Sequence, residues 1–77
     1  MPHSLQELRE SLDHEGFLPS EYSVGPPFRD DTLCLAEEGG GWSIFRYERG
    51  RRNPVAQFTE LADASAEFLN TLRRGRD

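Results

Sequence analysis

The segment EEGGGWSIFRYERG, residues 37–50, restricts this chain more than any other. Three consecutive glycines precede a run in which aromatic, aliphatic and polar residues alternate. Glycine reaches positive φ without the steric cost that other residues bear, and a period of two is the signature of a strand. TLCLAEE comes just before the glycines, so the pattern predicts a β-hairpin. Its strands lie at about 32–37 and 41–48, with Glu38, Gly39 and Gly40 between them. A phosphate-binding loop runs from a strand into a helix, whose free N–H groups then point at the anion. Here the glycines run into a strand, which sets that chemistry aside.

The rest of the chain supplies two helices and one more strand. Ser4 and Glu7 have capping-box spacing, and Leu5, Leu8 and Leu12 fall on one helical face. With Gly16 as a stop signal, the first helix is expected over about 5–15, and Phe17 and Leu18 are expected to fold back into the core. EYSVGPPFRDD reads as loop, with room for a short edge strand at Tyr22–Val24. RGRRNP reads as a second turn, and VAQFT gives a strand at 55–59 with Pro54 at its start. Thr59 is placed as the cap of a second helix over about 60–74, with Glu60 and Asp63 in its first turn. Leu61, Ala64, Phe68, Leu69 and Leu72 form its apolar stripe. The expected fold is a single small α+β domain over residues 1–77. It has an N-terminal and a C-terminal helix around a three-stranded antiparallel sheet, four-stranded if the segment near Tyr22 joins. The order is α-β-β-β-α.

Such a sheet poses a covering problem. Trp42, Ile44, Arg46 and Glu48 share one face, and Ser43, Phe45 and Tyr47 share the other. Leu33 and Leu35 oppose Cys34 and Ala36 in the same way. Either hairpin register leaves apolar residues on both faces, whereas an antiparallel sheet with a solvated side has one polar face. Two short helices on one side would leave aromatic groups open on the other, and an open apolar patch marks an interaction site. Helices on opposite sides, or an SVGPPF loop folded across, would remove the patch.

Composition narrows the chemistry. A chain of 77 residues makes one small domain with a thin margin of stability. Cys34 is the single cysteine, so no internal disulfide can form, which points to a reducing compartment. No apolar run approaches the ~20 residues of a membrane span. MPHSLQELRE is polar rather than signal-like, and a cytoplasmic protein is expected. His3 and His14 would stand about 16 Å apart on one helix at ~1.5 Å per residue, too far to share a metal ion. His14 fits the C-terminal end of a helix, where positive charge is favoured. Cys34 sits in an apolar strand without a neighbouring histidine and reads as an inert core thiol. Asp30–Asp31 and Glu37–Glu38 are adjacent pairs, which on a strand diverge to opposite faces instead of converging as acid and base. No Gly-x-Ser-x-Gly elbow occurs. The chain therefore reads as non-enzymatic, with no cofactor and no metal implied.

Partners follow from charge and surface. There are 14 acidic and 9 basic residues, a net charge of −5, which suits neither a nucleic acid nor an anionic membrane as a whole. Arg46, Arg49, Arg51 and Arg52 nevertheless lie beside Trp42, Phe45 and Tyr47, a combination that can stack bases and hold phosphates. The element order resembles a double-stranded-RNA-binding domain. That family carries basic residues at the start of its last helix, where this chain has TELADAS with Glu60 and Asp63. A nucleic-acid interface is thus an alternative rather than the leading reading.

GWSIFRYERG, Phe58 and DASAEFLNTL together resemble small bacterial immunity proteins, which are encoded beside secreted polymorphic toxins and neutralise them. The matching positions are Trp42, Tyr47, Glu48, Arg49, Gly50, Phe58, Ala64, Phe68 and Leu72, over about residues 32–72. The resemblance implies a non-catalytic protein that covers a toxin's active site, and a basic toxin domain as its partner. Glu37, Glu38 and Glu48 would pair with that domain's cations, and Trp42, Arg46, Tyr47 and Arg49 would serve as anchors. A homodimer, or a subunit of a larger assembly built through the sheet, is the alternative protein-binding reading.

Overall fold

The computed structural model describes residues 4–76. Along the chain run α1 (Leu5–His14), β1 (Tyr22–Val24), β2 (Thr32–Glu38), β3 (Gly41–Glu48), β4 (Arg51–Phe58) and α2 (Leu61–Arg76). The fold is α+β, with a helix at each end of a four-stranded sheet ordered β1-β2-β3-β4. His3 falls outside the described residues. No helix among the described residues is long and apolar enough to cross a membrane, and none of their His, Cys, Asp and Glu side chains gather into a group of three that could hold a metal ion.

Local sequence accounts for the helix ends. Ser4, in extended backbone, accepts a hydrogen bond from the Glu7 N–H and caps α1. At the far end Gly16 takes φ +84°. The Phe17 N–H bonds to the Leu12 carbonyl and the Gly16 N–H to that of Asp13, which is a Schellman closure. This geometry turns Phe17 into the core, while Leu18, expected to follow it, remains 61% exposed. The Leu18 N–H is instead held by the Glu21 carboxylate at 2.6 Å. α2 begins at Leu61, and the Glu60 carbonyl accepts from the Ala64 N–H, so Glu60 rather than Thr59 precedes the helix.

Both hairpins close on two residues. Gly39 and Gly40 have φ +57° and +79°; Arg49 and Gly50 have φ +51° and +78°. Positive φ at both central positions marks the turn whose twist matches that of paired strands. The second turn is therefore far shorter than RGRRNP, and Arg51–Asn53 belong to β4. Pro54 sits inside β4 because this is an edge strand, and the ladder is irregular between Ile44 and Phe45, next to it. Gly41 answers a close approach: a Cβ there would lie 2.6 Å from the Phe58 carbonyl oxygen.

β2–β3 and β3–β4 pair antiparallel, but β1 pairs parallel with β2, Tyr22 beside Leu33 and Val24 beside Leu35. The sheet is mixed, not wholly antiparallel as the sequence suggested. A parallel pair needs a connection that returns along the sheet. Here residues 25–31 make that return across one face, through a cis Pro26–Pro27 bond.

Leu33, Leu35 and Ile44 face α1 and α2 and pack with Leu8, Leu12, Phe17, Ala64, Phe68 and Leu69 into the main core. Tyr22 meets Phe68 edge to face. Arg73 of α2 binds the Glu15 carboxylate beyond α1 through two nitrogens, each at 2.7 Å. That hydrogen bond raises the Arg73 pKa above its ordinary value. A base raised in this way supports the fold at every pH below its unfolded pKa, and the support fades only as pH rises through the folded value.

Candidate functional site

The second face of the sheet holds Cys34, Ala36 and Phe45, all buried although no helix lies on them. The sequence led us to expect aromatic groups left open on this side if both helices took the other. Phe45 is instead 2% exposed. Two devices close the face. The first is the returning segment 25–31, whose Phe28 ring meets Phe45 at 5.1 Å edge to face and Tyr47 at 6.2 Å. The second is Arg52 of β4, whose guanidinium carbon lies 4.4 Å from the Phe45 centroid and 5.4 Å from that of Phe28. Its NH1 group donates to both oxygens of Glu38, at 2.7 and 2.8 Å, across β3.

A ring of buried and half-buried hydrogen bonds pins the returning segment. The Thr32 hydroxyl donates to the Arg29 carbonyl at 2.7 Å, and the Arg29 N–H donates to Ser23 Oγ at 3.0 Å. Thr32 has one proton, so the 3.0 Å contact between Ser23 and Thr32 is donated by Ser23. Donors and acceptors then run in one closed circuit, and each buried hydroxyl is satisfied. Cys34 Sγ lies 3.4 Å from Thr32 Oγ1 at the edge of this ring. Asp30 adds a tie to the second hairpin by accepting from the Gly50 N–H.

The cover ends before the β3–β4 side. A groove of 510 Å³ remains there, lined on this face by Glu38, Ser43, Phe45, Arg52, Pro54 and Gln57. β4 forms its outer wall and is exposed over most of its length, with Val55 45% exposed.

The residues singled out in the sequence do not form one patch. Glu37, Trp42 and Arg46 share the helix-covered face, where Trp42 packs against the main core. Glu38 and Tyr47 share the opposite face. Trp42 and Glu48 stand about 20 Å apart along β3, at ~3.3 Å per residue. Glu48 and Arg49 therefore belong to the far hairpin, away from Glu37, Glu38 and Trp42. Of the seven, Glu38 alone lines the groove from its open side, and Trp42 reaches it from the helix side. Phe28 and Gln57 were not singled out in the sequence, and Arg52 only as part of the nucleic-acid alternative. For Phe28 and Arg52 the available signal was local: an aromatic in the Gly-Pro-Pro loop, and an arginine with the parity of Tyr47's face.

No family model matches the chain, and neither a curated protein nor a solved structure matches it.

Proposed function

We propose that the protein is a non-catalytic protein-binding module of the immunity type, which neutralises a cognate bacterial toxin by lying over its active site. The observation that carries this reading is the groove between β3 and β4. It combines a floor and rim at Ser43 and Gln57, a proline wall and charged groups of both signs, which suits a protein partner better than a phosphate backbone.

The partner would meet side chains rather than extend the sheet. Pro54, the irregular ladder beside it and the exposed Arg51 and Arg52 are the devices by which edge strands resist pairing. The same devices weigh against a homodimer formed by edge-to-edge addition.

The test uses the C-terminal domain of a secreted polymorphic protein encoded next to this chain. Titrated with the chain, that domain should form a stoichiometric complex and lose its toxic activity. Ser43→Arg and Gln57→Arg, which fill the groove from its floor and rim, should restore toxicity while the chain stays folded. A toxin domain left fully active by excess chain overturns the reading, as does the absence of any such neighbouring gene.

A further inference from the structure

The two aromatic rings and the carboxylate around Arg52 form a receptor for a guanidinium group. A guanidinium is recognised by aromatic groups that it can lie over and by a carboxylate that its N–H groups reach. Phe45 and Phe28, with centroids 5.1 Å from each other, lie on one side of the guanidinium at 4.4 and 5.4 Å, and Glu38 supplies both oxygens to the NH1 group. The occupant is the protein's own. Yet the Arg52 and Glu38 side chains are 44% and 40% exposed, and the groove opens directly beside them. An ion pair so open to water exchanges readily.

We infer that this is an arginine-reading site, held closed by Arg52, into which a protein partner inserts an arginine of its own in exchange. The chain's net charge of −5 favours a basic partner. Arginine is also among the residues that anchor interfaces. The tethered Arg52 competes at high effective concentration, so an arginine presented alone binds weakly and one presented within a larger docked surface binds well. The displaced Arg52 has the open groove to swing across. This inference rests on reading the groove as a partner-facing surface, but its test needs no toxin.

The probe is the tripeptide acetyl-Gly-Arg-Gly-amide, followed by NMR on the intact chain, with lysine and citrulline versions as comparisons. Arg52→Ala empties the receptor. In that variant the arginine peptide should give saturable shifts at Glu38 and at the Phe28 and Phe45 rings. Its affinity should be about tenfold above wild type, as expected if the wild-type site is open one-tenth of the time. The lysine peptide should bind more weakly and the citrulline peptide not at all. Adding Glu38→Gln should abolish binding. No saturable shift in a folded Arg52→Ala chain, equal affinity in wild type, or equal response to lysine overturns the inference. If Arg52→Ala fails to fold, the wild-type titration decides. Displacement of the Arg52 Nε–H resonance by the arginine peptide supports the exchange, and a resonance unmoved at the highest soluble concentration refutes it. A negative result alongside an intact toxin complex would remove the arginine site and leave the binding module. A positive result without a toxin would do the reverse.

Discussion

Both faces of the sheet bury apolar side chains, but they are covered by different means. On one, α1 and α2 lay continuous leucine and phenylalanine stripes over Leu33, Leu35 and Ile44. On the other, a seven-residue return, one phenylalanine and one arginine side chain cover Cys34, Ala36 and Phe45. Their polar content differs in the same sense. The helix layer buries the Ser65 hydroxyl with no hydrogen-bond partner among the described residues. The loop-covered side has its buried hydroxyls, Ser23 and Thr32, in a closed ring. A helix satisfies its own backbone and needs only apolar contact to stay in place. An irregular segment must find partners for its backbone groups, so its cover is built from polar ties as well as from grease. A cover of that kind is thin enough to be locally opened.

This contrast can be broken by substitution. Phe68→Ala should do the most damage: it removes a fully buried ring from the main core, and such losses cost about 3–5 kcal/mol. For a chain this short that is most of its stability, so denaturant or thermal unfolding should show a large drop in midpoint. Phe28→Ala should cost less, about 2 kcal/mol, because the ring is half-buried. Its signature is different in kind. Cys34 should react with a thiol reagent well below the unfolding transition, whereas in Phe68→Ala the thiol should react only as the whole chain unfolds. Equal native-state reactivity in the two variants would show that the loop is no separate cover. Thr32→Val keeps the shape but breaks the ring, leaving the Arg29 carbonyl without its donor and the Ser23 hydroxyl proton without an acceptor, at about 1–2 kcal/mol. Hydrogen exchange should report it as lost protection at the Arg29 amide. Ser65→Ala should have the opposite sign, raising stability by about 1 kcal/mol, since it removes a buried hydroxyl that has no partner and favours the helix. A destabilised Ser65→Ala would mean that the hydroxyl is bonded after all.

Much of the scaffold was legible in advance. The cap at Ser4, the stop at Gly16, the strand at 41–48 and the stripe Leu61–Leu72 each rest on a spacing of at most four residues, which a short window of sequence contains. The readings that changed were those that depend on distant chain. Leu18 was placed inside because it follows Phe17, but the Schellman turn directs only one of the two inward. Arg51–Asn53 looked like turn because arginine and asparagine are polar, yet an exposed edge strand accepts polar residues. The seven residues expected at a partner do not share one patch because strand parity sends Trp42 and Tyr47 to opposite faces, and the hairpin length puts Glu37 and Arg49 at opposite ends. Arg52 was grouped with its neighbours as surface charge, and nothing near it in sequence names Glu38 or Phe28 as its partners.

Sequence alone determined the two helices, the β2 and β3 strands and the glycine-marked first turn, because caps, glycine φ preferences and side-chain periodicity are local properties of the backbone. Tertiary structure decided the parallel seating of β1, and with it the path of residues 25–31 across the second face. It also decided that an arginine should cap Phe45 and leave a groove beside it. Those outcomes turn on which surfaces meet once the helices have taken one side. That is settled by packing over the whole chain, not by any short stretch of it.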